Sequence, residues 1–202
     1  MSSEPSIQNP ELVVRDEDWY GRDISEQSFE GYSFLDVDLS EVTTGNGTVF
    51  QDCTFANVKF NASKHTGTVF ANCTFRKCTF FDTEFSGCKL VGSLFQLCEF
   101  TLLRVQGGDW SFCGLASADL KGSQFDGVRM REVDLSGARL EKATVAACDL
   151  SGAALQGANL VGADLRGSDL SSLDPLTVLA KGAKIDWEQA AVVAGGLGFS
   201  VC

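Results

Sequence analysis

The chain has 202 residues, 44% of them hydrophobic, enough for one domain with a sizeable core. Its 27 acidic and 16 basic residues leave a formal net charge of −11, which repels phosphate and argues against direct binding of DNA, RNA or an anionic membrane. No apolar run approaches the roughly 20 residues of a membrane span, and the N-terminus lacks a basic start followed by an apolar stretch, so a cytoplasmic protein without a signal peptide is expected.

Residues 1–18 read as a flexible acidic segment. From Trp19 an apolar residue recurs every fifth position: Trp19, Ile24, Phe29, Phe34 and Leu39. The ladder resumes at Phe50, eleven residues after Leu39 rather than ten, which predicts a one-residue bulge near Thr43–Gly47. From Phe50 to Leu170 it then runs without interruption, and 24 of its 25 positions are apolar where the overall composition predicts about 11. Phe70, Phe75, Phe80 and Phe85 lie in its aromatic half, and Leu150, Leu155, Leu160 and Leu165 in its aliphatic half. The single exception is His65, the only histidine of the chain.

Two positions before each centre, the residue is nearly always small. Seven of the eight cysteines fall there, Cys73 and Cys78 among them, and the eighth is Cys202. A free thiol in such a slot behaves as a small buried hydrophobe. No paired C-x2-4-C spacing suggests zinc, and disulfides are not expected in a cytosolic protein. One large and one small inward residue per quintet, with three outward, fit a narrow solenoid. Alternation at period two drifts out of phase after five residues, so each quintet needs a corner, and glycines two past the centres supply many of them.

The runs ADLKGSQF and DLSGAALQGANLVGADLRGSDL resemble the pentapeptide-repeat family, over roughly Trp19 to Leu170. The resemblance implies an all-β solenoid, a right-handed quadrilateral β-helix with four quintets per coil. On that reading the β-helix covers residues 19–173. Asp174-Pro175 ends it, and residues 174–202 form a short α-helical cap and dimerisation segment. Asp186 is placed to cap the helix with Gln189 in a capping box, and Gly195-Gly196 to end it. Trp187, Ala191, Val192, Val193, Leu197 and Phe199 are the expected dimer contacts.

No G-x-S-x-G elbow, Walker loop or H-E-x-x-H appears, and a rod filled with Phe and Leu leaves no room for a substrate pocket. No enzyme activity, metal or cofactor is therefore expected. His65, in a centre slot, reads as a structural residue, neutral and hydrogen-bonded to a neighbouring coil. The charge is uneven: residues 1–41 carry 11 acids and 2 bases, residues 42–110 carry 5 and 6, and residues 111–175 carry 9 and 6. Asp109, Asp149 and Asp169 precede centres on one face, and Asp119, Asp134 and Asp164 occupy the same place elsewhere. Individually such residues support turns; together they offer an acidic surface.

Within the family the chain is most similar to the quinolone-resistance branch, the MfpA and Qnr proteins. The stretches carrying this are SKHTGTVFANCTF, the SGAALQGANLVGADLRGSDL run into DPLTVL, and the terminal GAKIDWEQAAVVAGGLGF. The unbroken ladder points to the loop-free MfpA type. That resemblance implies a homodimeric DNA mimic that binds DNA gyrase, and topoisomerase IV, at the DNA-binding saddle, inhibiting it or protecting it from fluoroquinolones. The alternatives are a scaffold for another basic protein and a self-resistance factor in an antibiotic producer.

Overall fold

A five-residue repeat can satisfy its backbone only by pairing each quintet with its equivalent in the next coil. The computed structural model, which describes residues 12–201, does this on four sides. All strand pairs are parallel, and beyond the bulge partners stand 20 residues apart, as in Phe55 with Phe75 and Phe85 with Val105. The result is a four-sided β-helix of the right-handed form that parallel crossovers take. Face one carries centres such as Phe50, Phe70 and Leu150; face two Phe55, Phe75 and Leu155; face three Phe60, Phe80 and Leu160; face four His65, Phe85 and Leu165.

The centres meet in the interior. Phe34, Phe55, Phe75 and Phe95 stack face to face at 4.9, 4.9 and 4.7 Å, and Phe60, Phe80 and Phe100 at 4.9 and 5.2 Å. These spacings match the ~4.8 Å between strands, so ring stacking and backbone pairing reinforce each other. Phe70, Phe75, Phe80, Phe85, Leu150, Leu155, Leu160 and Leu165 are all buried. Trp110, the largest centre, is fully buried beside Gly108, which fills the small slot. A Cβ on Gly108 would lie 2.1 Å from the Cys88 carbonyl oxygen, so only glycine fits.

The small slots do more than fill space. A side chain there donates to the carbonyl of the centre residue in the coil below: Cys73 Sγ to Phe50 O, Cys78 Sγ to Phe55 O, Thr83 Oγ1 to Phe60 O and Ser93 Oγ to Phe70 O. Thus Cys, Ser and Thr suit the slot because they are small and can still bond a buried carbonyl. Burial raises the Cys88 and Cys148 thiols to about 11 and Cys113 to about 12. The seven described cysteines are free thiols, all buried except the half-buried Cys98; Cys202 lies outside the described residues.

Two boundaries differ from the sequence expectation, and the expected bulge near Thr43–Gly47 is found and narrowed. The β-helix begins earlier than Trp19: Val13–Arg15 pairs with Ser33–Leu35, so of the segment assigned to residues 1–18 only 1–11 lie outside the described residues. It also continues past Leu173. Asn159 bridges Leu179, Asp164 bridges Lys184, and Leu173, Val178, Ala183 and Ile185 pack against the core. The fives run on through Pro175, Ala180 and Ile185, although Ala180 is exposed and the larger residue sits in the small slot at Leu173 and Val178. Finally, the bulge is confined to Gly45–Gly47. Thr44 still keeps the earlier register, 21 residues from His65, and Thr48 already sits in the next small slot.

The helix Trp187–Gly196 closes the C-terminal end. Asp186 and Gln189 form the capping box, and Gln189 Nε2 donates to the carbonyls of Leu165 and Ser168 at 2.6 Å, tying the helix to the last coils. Both Gly195 and Gly196 remain helical. The chain turns instead after the C-cap Leu197, at Gly198 with φ 88°, and Gly196 packs against the Pro175 ring too closely for a Cβ.

Candidate protein-binding surface

His65 has its polar contacts within the core. Ser63 Oγ donates to Phe60 O at 2.6 Å and so is free to accept from His65 Nε2–H at 2.9 Å. His65 Nδ1 then accepts from Thr44 Oγ1 at 2.8 Å, and Thr44 Oγ1 accepts from Thr68 Oγ1 at 2.5 Å. The imidazole stacks on Phe85 at 4.9 Å. Burial holds its pKa down at about 3, so it is neutral at physiological pH. Among the described residues no group of three or more His, Cys, Asp or Glu is placed to hold a metal ion.

The six aspartates singled out by the sequence do not share one surface. Asp109, Asp149 and Asp169 lie on face one, Asp134 on face two, Asp119 on face three and Asp164 on face four. Each accepts the backbone N–H two residues on: Asp109 from Ser111, Asp119 from Lys121, Asp134 from Ser136, Asp149 from Ser151, Asp164 from Arg166 and Asp169 from Ser171. Local turn support therefore accounts for aspartate in this slot.

Cations interrupt the supposed acidic column. Arg129 stands between Asp109 and Asp149 in the ladder and pairs with Asp109 at 3.3 Å, while Arg131 pairs with Asp149 at 2.6 Å. Bonds from Ser151 and then the Arg131 guanidinium hold Asp149 down at about 2. Asp119 pairs with Arg139 at 3.0 Å and Asp164 with Arg166 at 2.6 Å. These pairs are solvent-exposed and stabilise little, but they cancel charge.

The densest run of uncompensated acid lies instead in the first two coils, although Asp134 and Asp169 also have no ion pair among the described residues. Asp16, Glu17, Asp18, Asp23, Glu26, Glu30 and Glu41 have no ion pair among the described residues; only Asp36 and Asp38 do, with Arg15 and Lys59. Glu41 accepts from Tyr20 Oη at 2.5 Å and Glu17 from Trp19 Nε1 at 2.9 Å, which fixes both carboxylates outward on the rod. In the sequence these carboxylates show as the charge tally of residues 1–41, 11 acids against 2 bases.

At the other end the cap exposes an apolar surface. Trp187 is 88% exposed and Phe199 68%, and Ala191, Val192 and Leu197 are exposed too, while Val193 is half-buried. Leu176 and Leu179, which the sequence reading did not include, add to the exposed apolar residues of this end from the last coil.

A solid four-sided rod of quintets, acidic at one end and apolar at the other, defines a non-globular repeat protein built to present surfaces. The family model for pentapeptide repeats matches in eight copies over residues 66–96, 111–145 and 148–174. The chain is a pentapeptide-repeat protein. Two solved structures share its fold, both trypsin-treated variants of QnrB1, described as a plasmid-mediated fluoroquinolone resistance protein. One has a TM-score of 0.72 at 20% identity, the other 0.61 at 22%, and each alignment covers 95% of this chain and 98% of the other. Among curated proteins no sequence matches significantly. No helix among the described residues is long and apolar enough to cross a membrane.

Proposed function

We propose that this chain is a non-catalytic DNA mimic of the cytoplasm. It binds DNA gyrase, and topoisomerase IV, in the saddle that holds the DNA segment to be cleaved, and thereby modulates the enzyme and shields it from fluoroquinolones. The observation that carries this reading is the run of unpaired carboxylates on the first two coils of a straight, solid rod. Such a surface favours a basic groove and steers the encounter with it. The choice of partner rests on the sequence resemblance to the quinolone-resistance branch, and QnrB1, which shares the fold, is described as a fluoroquinolone resistance protein. B-DNA carries about 20 charges over 34 Å, so a chain of net charge −11 mimics it only in part. A supercoiling titration with purified gyrase, with and without ciprofloxacin, is expected to show inhibition or a rise in the drug concentration needed to stall the enzyme. Unaltered supercoiling in both arms, with no binding, would reject the reading in favour of a scaffold for another basic protein.

The rod is proposed to dimerise through the C-terminal cap, where Trp187 and Phe199 are largely exposed. Trp187→Asp is expected to halve the mass seen by light scattering without changing the circular dichroism spectrum. A variant that keeps the wild-type mass would place any self-association elsewhere.

A further inference from the structure

A belt of exposed apolar side chains crosses the middle of the rod, distinct from the acidic coils and from the cap. Leu97 is 78% exposed, Leu102 54%, Phe112 53%, Phe81 52% and Leu94 42%. Phe81 pairs in register with Thr101, the neighbour of Leu102. Leu94 bridges Gly114, two residues beyond Phe112, and leans over it: a Cβ there would meet Leu94 Cδ2 at 2.7 Å. The five side chains thus fall on adjoining coils, along faces two and three and their corners.

The fold does not account for them. Leu97, Leu102 and Phe112 have φ of 55°, 56° and 61°. The corners elsewhere hold glycine, alanine or a polar residue; among the described residues these three are the only large apolar side chains at positive φ. A bulky side chain there strains the backbone, and an apolar one left in water contributes nothing to burial. Contiguous exposed apolar residues mark interaction sites.

We propose that the belt is the binding hot spot of the rod, docking on an apolar floor within a basic protein groove of DNA width. This rests on the gyrase reading above and names where its affinity comes from. Charge selects the occupant. Residues 42–110, which hold most of the belt, carry 5 acids and 6 bases, so covering them strands little net charge. Net acid flanks them on both sides, 11 acids against 2 bases in residues 1–41 and 9 against 6 in residues 111–175. An apolar centre with a charged rim is the anatomy of a protein interface. A second copy laid flank to flank would set acidic coils against acidic coils, whereas a basic groove meets both flanks.

The test replaces the three strained corners by the residue type such corners favour, Leu97→Asn, Leu102→Asn and Phe112→Asn together. The variant is expected to melt at the wild-type temperature or a few degrees above it, to sediment as wild type, and to bind intact gyrase at least tenfold more weakly by surface plasmon resonance. Phe81→Ser with Leu94→Ser, which leaves the corners untouched, is a second variant expected to weaken binding in the same direction should the first fail to fold. Wild-type affinity in a folded variant overturns the belt and leaves the gyrase reading intact. Altered sedimentation makes the belt a self-interface and also overturns it. Wild-type protein that binds no gyrase overturns both.

Discussion

Phe75→Ala is expected to cost about 3–5 kcal/mol and to separate unfolding into two steps. Phe75 is fully buried and stands between Phe55 and Phe95, stacked at 4.9 and 4.7 Å, with Phe60, Phe70 and Phe80 against its edges. Its loss opens a void that the rod cannot close, because the strand spacing is fixed by backbone bonds on all four faces. In a solenoid each coil touches only its neighbours, so a weakened layer uncouples the coils on either side. The three tryptophans report on different levels: Trp19 at the N-terminal end, Trp110 mid-rod and Trp187 in the cap. In a denaturant titration Trp19 fluorescence is expected to change before the far-ultraviolet signal of the C-terminal coils. Coincident transitions with a loss below about 1.5 kcal/mol would show that the aromatic column is not what couples the layers.

The second large effect is a loss of stability in mild acid from one residue. His65 has a pKa of about 3 in the folded state because it is buried, whereas in the unfolded chain it titrates near 6.5. Between these values the unfolded state binds the extra proton. Stability is therefore full above about pH 6.5 and is lost as pH falls, by up to about 1.4 kcal/mol per unit. Its polar neighbours, Thr44, Ser63 and Thr68, carry no charge, and its ring neighbours are Phe60, Phe70 and Phe85. Between pH 6.5 and 4.5 the loss from this group is expected to be about 2 kcal/mol, and the paired carboxylates add to it only below about pH 5. His65→Phe should remove this dependence. It should also cost about 1–3 kcal/mol at neutral pH, since the Thr44 hydroxyl loses its buried acceptor. Urea titrations across the range measure both, and an equal slope in wild type and variant would assign the acid sensitivity to other groups.

Much of this molecule was legible because period five is so restrictive. A large residue every fifth position with a small one two before it fits a solenoid with a corner in each quintet, and that places Phe75, Leu155 and Cys78 in the core without coordinates, while four quintets per coil is what the family resemblance implied. The capping box at Asp186 and Gln189 was legible for a similar reason, since its partners are three residues apart. Relations between coils were harder to read. Arg129 and Asp109 are 20 residues apart, so a column that looked acidic is partly neutral. The ends of the solenoid were misplaced because backbone bonding continues where the apolar ladder thins, at Val13–Arg15 and again at Leu179 and Lys184.

By itself, then, the sequence determined the repeat, its inward residues and its cap, all set by local spacing and side-chain volume. Only the tertiary structure decided which charges cancel and which stay free, what holds His65, and that the apolar corners at Leu97, Leu102 and Phe112 fall on adjoining coils at three successive corners of the rod. Those depend on contacts between residues one coil apart, and the register of the coils, shifted by the single extra residue at Gly45–Gly47, becomes definite only when the chain is wound.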